Sequence, residues 1–159
     1  MTLLRGLSPV IDERARVLVL GSFPSPASLV AQQYYAHPQN QFWRILAAVL
    51  GLPLTELDYA ARLEATKAAG LAIWDVYGRC ARDGSLDSAI RDALPNDFGK
   101  LKTSAPRLRR ACFNGKTAGK FAARLEALDI ETVVLPSTSP AYTLPFAAKL
   151  DAWRAALSF

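Results

Sequence analysis

The chain has little with which to hold a metal ion. Of its 159 residues one is histidine and two are cysteine, and Cys80 and Cys112 have no Cys or His at metal-ligand spacing. A four-cysteine iron–sulfur site is impossible with two cysteines, and only carboxylates remain as ligands. No cofactor and no metal are expected, and the cysteines are read as buried free thiols. No apolar run approaches the length of a membrane span, and no charged–apolar–small leader opens the chain. These absences predict a cytoplasmic protein without a membrane contact. There are no internal repeats and no linker, so residues 1–159 are expected to form one domain. Two enzyme classes drop out as well. Gly21-Ser22-Phe23-Pro24-Ser25 lacks the glycines that let a backbone approach a pyrophosphate. A serine hydrolase would need a Gly-x-Ser-x-Gly elbow and a carboxylate partner for its histidine. Neither is evident, and His37-Pro38 reads as a helix entry.

What is present is an alternation of short apolar runs and helical patterns. Half the residues are apolar and 21% are charged, ordinary for a globular chain. Val17–Leu20 and Leu71–Val76 read as buried strands, and Arg110–Phe113 and Thr132–Leu135 as a third and a fourth strand. Between them, Phe42, Ile45, Leu46, Val49 and Leu50 repeat at helical spacing, and Thr55 with Asp58 suggests a capping box for a helix reaching about Ala69. A basic helix is expected over about 117–128, and a last one carrying Leu144, Ala147, Ala148, Leu150 and Trp153. Residues 1–15 and 79–97 look irregular, apart from a short helix from Ser85. The pattern predicts an α/β fold, a three-layer α/β/α sandwich with a central four-stranded, mainly parallel sheet.

In such folds the ligand crevice lies beyond the carboxyl ends of the strands. Four loops are therefore expected to converge: 21–40, 75–78, 114–116 and 136–141. The first is dense in aromatic and amide side chains, among them Phe23, Tyr34, Tyr35, Gln39, Asn40, Phe42 and Trp43. Aromatic faces and amide edges suit a planar, hydrogen-bonding ligand such as a nucleobase. The net charge is +5. Eight basic residues and no acidic one fall between Phe98 and Leu125, leaving the remainder slightly acidic. A segment of this kind is either the footprint of a polyanion binder or a solvated basic face.

Taken in order, Gly21-Ser22-Phe23-Pro24-Ser25, His37-Pro38-Gln39-Asn40-Gln41-Phe42-Trp43, Trp74-Asp75-Val76, Gly84-Ser85-Leu86-Asp87-Ser88, Phe113-Asn114-Gly115-Lys116 and Leu135-Pro136-Ser137-Thr138-Ser139-Pro140-Ala141 resemble the motifs of the uracil-DNA glycosylase superfamily. The likeness is closest to its hypoxanthine-DNA (deoxyinosine) glycosylase branch and extends to the mismatch-directed uracil branch. Many superfamily members carry Asp or Asn where this chain has Phe23, and a His where it has Leu135. Both departures are similar to the hypoxanthine branch, in which the Asn matching Asn40 supplies the catalytic amide.

The resemblance implies a monofunctional glycosylase acting as a monomer on DNA that contains deaminated bases. Asn40 would be the catalytic residue, orienting water through its amide oxygen; its bland alternative is a helix cap. Gly21, Ser22, Phe23, Pro24, Ser25, Tyr35, Asp75 and Asn114 would form the base pocket. Phe23 would stack on the base, and Asp75 would accept from its N1–H or merely cap a loop. Lys116, Ser137, Thr138, Ser139, Pro140 and Ala141 would contact DNA, with Pro140, Ala141 or Tyr142 as the wedge. Lys120 and the cluster Arg107–Arg110 would add salt-sensitive affinity. Mismatch-directed uracil excision, and a non-catalytic nucleic-acid-binding domain, stand as alternatives.

Overall fold

The computed structural model describes residues 3–158. In chain order its elements are β1 (Leu4–Arg5), β2 (Val17–Gly21), α1 (Pro26–Ala31), α2 (Phe42–Leu50), α3 (Tyr59–Ala68), β3 (Leu71–Asp75), β4 (Tyr77–Ala81), β5 (Arg91–Pro95), α4 (Leu101–Ser104), β6 (Arg110–Asn114), α5 (Lys116–Gly119), α6 (Ala122–Glu126), β7 (Glu131–Leu135) and α7 (Phe146–Leu157). Short 3₁₀ turns lie at Leu54–Glu56 and Asp87–Ala89.

The apolar run at 17–20 becomes the inner strand of a four-stranded parallel sheet ordered β3-β2-β6-β7. Alternation along β2 divides the core. Val17 and Val19 face a cluster built with Phe42, Ile45, Leu46 and Trp153, from α2 and α7. Leu18 and Leu20 face Phe98, Leu101, Ala118 and Leu125, from the other side. Every residue of β2 is buried, as expected of a strand covered on both faces. The expected architecture is thus present, with helices on both sides of the sheet.

Register fixes what stands at the carboxyl rim. Gly21 pairs with Asp75, Leu20 with Phe113, and Asn114 with Leu135. Gly21, Asp75 and Asn114 therefore end neighbouring strands at one level. The opposite rim carries Arg110, which pairs with Val17 and Glu131.

Several local expectations need correction. Asp58, not Thr55, caps α3, its carboxylate accepting the Ala61 N–H at 2.8 Å, while Thr55 lies in the preceding 3₁₀ turn. The basic helix is two short pieces, α5 and α6, interrupted at Lys120 and Phe121. Leu144 precedes α7, and Ala147 and Ala148 are exposed; the buried face carries Lys149, Trp153, Ala156 and Leu157. The segment 79–97 is not loop-like. It holds most of a second, antiparallel sheet, ordered β1-β4-β5, and residues 4–5 of the supposedly unpatterned lead-in supply its edge. Both cysteines are buried and free, and burial pushes the Cys112 thiol up to about 12, so it is no nucleophile at neutral pH.

Candidate active site

At the carboxyl rim of the parallel sheet lies a cavity of about 390 Å³. It is lined by the turn after β2, by Tyr34, Tyr35 and Asn40, by Asp75 and Asn114, by Ser85–Ser88, and by Ser137–Tyr142. Two of the four expected loops, 21–40 and 136–141, supply most of the wall, and the 114–116 loop adds Asn114 alone. From the fourth only Asp75 takes part, because Tyr77 and Gly78 enter β4 and turn into the second sheet.

The floor is set by Gly21. A Cβ there would stand 2.6 Å from Asp75 Oδ1 and 2.9 Å from the Tyr35 hydroxyl, so only glycine lets both side chains close in. Asp75 is 4% exposed and its Oδ2 has no hydrogen-bond partner. Burial first, then the negative charge of Asp87, push its carboxyl up to about 7, against the opposing pull of Arg82. Tyr35 holds a left-handed backbone (φ +55°), which costs a bulky residue on the order of 1–3 kcal/mol. Its ring stacks on Phe42 at 4.0 Å, and its hydroxyl accepts from Asn114 Nδ2 at 3.2 Å. These contacts hold the strained residue in place.

The turn after β2 is fastened from behind. Arg82, 6% exposed, donates from Nη2 to the Pro24 carbonyl at 2.6 Å and lies 5.4 Å from the Phe23 ring centre. A guanidinium over an aromatic face is attractive, and more so when desolvated. The Ser22 hydroxyl donates to Asp87 at 2.6 Å, closing the 85–88 loop onto this turn. Ser25 caps α1. Both serine hydroxyls are thus committed to structure.

On the far side, the Asn40 Oδ1 accepts from the Phe42 N–H at 3.0 Å and from the Thr138 hydroxyl at 2.8 Å. Thr138 is fully buried. Its hydroxyl accepts from Asn114 Nδ2 at 3.0 Å, and its N–H donates to Asn114 Oδ1 at 2.9 Å. Thr138 therefore has nothing left for a phosphate, in contrast to the role expected of it. Ser137, Ser139, Pro140 and Ala141 line the rim beside it. Lys149, 1% exposed, holds this loop to the start of α2: its ammonium donates to Gln41 Oε1 at 2.9 Å and to the Ser139 carbonyl at 3.3 Å. Burial lowers its pKa.

Of the expected site residues, only Lys116 stays off the cavity wall; it is exposed beside the rim, at the start of α5. The basic cluster divides. Arg109 and Arg110 sit at the amino end of β6, with Arg107 just ahead, a strand's length from the cavity. Trp43 faces the core, its Nε1 donating to the Tyr34 carbonyl. Sequence reasoning missed Arg82 and Lys149 as supports, and Leu86 and Asp87 as wall residues. No group of three or more His, Cys, Asp and Glu that could hold a metal occurs among the described residues, and no helix among them is long and apolar enough to cross a membrane.

The sequence profile described as "Uracil DNA glycosylase superfamily" matches residues 8–157. This chain belongs to that superfamily. Among its relatives is a protein of Methanosarcina barkeri (strain Fusaro / DSM 804) named "Hypoxanthine DNA glycosylase", 40% identical over 149 residues, 94% of each chain. One of the same name from Methanosarcina acetivorans is 43% identical over 137 residues, 86% of this chain and 87% of that one. The solution NMR structure of a Methanosarcina acetivorans protein, provisionally assigned as a uracil DNA glycosylase, superposes with a TM-score of 0.90 at 39% identity, covering 98% of this chain and 97% of that one. The superfamily expected from the loop motifs is the one found. As in the sequence reading, Phe23 and Leu135 stand where many superfamily members carry polar groups. Phe23 lines the cavity, and Leu135 is buried in the α2–α7 core.

Proposed function

We propose that the protein is a monofunctional DNA glycosylase that extrudes hypoxanthine from DNA, acting as a monomer, and hydrolyses its bond to deoxyribose. The observation that carries this reading is the buried, unpartnered carboxyl oxygen of Asp75 at the back of a cavity that Phe23 and Asn40 also line. A buried acceptor without a donor is costly, and a base that supplies an N–H relieves that cost.

Hypoxanthine presents a carbonyl beside an N1–H. The Asp75 carboxylate accepts from N1–H, and Phe23 offers a stacking face. Adenine has a bare acceptor at N1 and would set its lone pair against the carboxyl in its ionised form, a mismatch of the kind that discriminates strongly in a buried site. Hydrolysis breaks C1′–N9 with its electron pair leaving on nitrogen. A water oxygen bonds to C1′, one of its protons goes to the base, and an abasic sugar remains. Positioning of the reactants can supply about 7–11 kcal/mol of such a barrier in favourable cases. Ser137, Ser139, Pro140 and Ala141 would meet the strand at the rim, with exposed Tyr142 and Leu86 beside the vacated stack.

The test uses end-labelled duplexes carrying one deoxyinosine, one deoxyuridine or neither, treated with protein and then hot alkali. Cleavage at deoxyinosine, lost in Asn40→Ala, is the expected result. Cleavage mainly at deoxyuridine would move the protein to the uracil branch. Binding without cleavage would leave a non-catalytic DNA-binding domain.

A further inference from the structure

We propose that Asn40 works as a hydrogen-bond donor to the departing base, and that Thr138 is the positioning residue that holds its amide in that orientation. The inference rests on the glycosylase reading and concerns how its central amide acts.

The direction of each hydrogen bond is fixed by backbone N–H groups, which can only donate. The Phe42 N–H, 3.0 Å from the Asn40 side chain, requires the oxygen of that amide to face it. The Thr138 N–H, 2.9 Å from the Asn114 side chain, requires the oxygen of Asn114 there. Asn114 must then offer its Nδ2 hydrogens to the Thr138 hydroxyl, at 3.0 Å. With its oxygen accepting from Asn114, the hydroxyl sends its own hydrogen to Asn40 Oδ1, at 2.8 Å. Neither amide has a second orientation that keeps these bonds.

An amide oxygen has two lone pairs, and on Asn40 both are taken. The group left for the cavity that Asn40 lines is its NH₂. A donor aimed at an attacking water would draw on the lone pair needed for attack. Aimed at the base, it stabilises the negative charge that spreads over N9, N3, N7 and O6 as the bond breaks. The two donors on Oδ1, one of them the first N–H of α2, also polarise the amide and strengthen its N–H groups.

Single-turnover excision from a deoxyinosine duplex, measured from pH 5 to 8.5, separates donor from acceptor. Asn40→Asp keeps an acceptor for Phe42 and Thr138 but replaces the donor with a carboxylate. The donor role predicts a loss of roughly 10²–10³-fold at pH 8, with the ratio to wild type climbing as pH falls and the carboxyl gains a proton. An Asn40→Asp enzyme at least as fast as wild type at pH 8 would overturn it. Thr138→Val removes the hydroxyl alone; a fall of about tenfold in rate at unchanged DNA affinity is expected, with Thr138→Ser restoring it. A Thr138→Val rate equal to wild type would overturn the positioning role. Should Thr138→Val melt early, the Asn40→Asp profile and the rate of Thr138→Ser decide. Wild-type inactivity on deoxyinosine would instead sink the functional reading, a separate result.

Discussion

Asp75 Oδ1 lies 2.6 Å from the point that a Cβ would occupy on Gly21. One methyl group at residue 21 must displace the carboxyl, the Tyr35 hydroxyl, or both. Gly21→Ala is therefore expected to lower stability by about 1–3 kcal/mol and to abolish excision, because it displaces the carboxyl proposed to read the base. Thermal melting with the cleavage assay checks both; a variant with wild-type melting and rate would show that the floor has slack.

Asp75 also gives the protein a pH signature. Its carboxyl is held near 7 in the fold against an ordinary value of 3.8. Between those values the folded state binds the extra proton, so this group's contribution to stability declines as pH rises from about 4 to about 7 and is level beyond. Asp75→Asn should remove that decline, and urea titrations at pH 4.5 and 8 would reveal it. On the proposed reading the carboxylate accepts N1–H, so the wild-type rate should rise through pH 7. A rate flat from pH 5.5 to 8 would argue against Asp75 as the reader of the base.

Arg82 holds Phe23 and Pro24 from behind. Arg82→Gln keeps a donor near Pro24 but gives up the cation over Phe23, and Arg82→Met gives up both. Rate and base affinity should decline in that order, the second substitution costing about 1–3 kcal/mol for an unpaired buried carbonyl. Inhibition by free hypoxanthine measures the affinity. Equal behaviour of both variants with wild type would remove Arg82 from the site.

Salt dependence should separate the two ends of the basic segment. Lys116 flanks the cavity rim, whereas Arg107 and Arg109 lie toward the amino end of the sheet. Lys116→Ala is expected to lower the slope of log affinity against log salt by about one unit. The double variant Arg107→Ala with Arg109→Ala should leave that slope unchanged. Filter binding over 50–200 mM salt distinguishes them, and the reverse pattern would place the duplex elsewhere on the surface.

The parallel sheet was legible because its signal is local: 17–20 and 71–74 are continuous apolar runs, and strands buried on both faces need nothing else. The second sheet was not. β1 is two residues long, β4 and β5 pair with register shifts, and β5 exposes Arg91, Asp92, Leu94 and Pro95, so no alternation marks it. Asn40 was half legible. Its cap-like bond to Phe42 follows from helix entry, but the second bond on its amide oxygen comes from 98 residues away. Arg82 and Lys149 were invisible for the same reason. Each is a charged residue whose burial depends on a carbonyl or amide on a distant loop, and composition treats both as surface.

The last helix has a consequence for how the protein is made. α7 carries Lys149, which grips Ser139 and Gln41, and Trp153, whose Nε1 donates to the Pro136 carbonyl at 2.9 Å. Every residue that lines the cavity precedes α7 in the chain and leaves the ribosome first. A nascent chain can thus hold the turn after β2 and the Asp75 carboxyl while the 136–142 wall still lacks its anchor. That wall gains its Lys149 and Trp153 ties only when α7 docks.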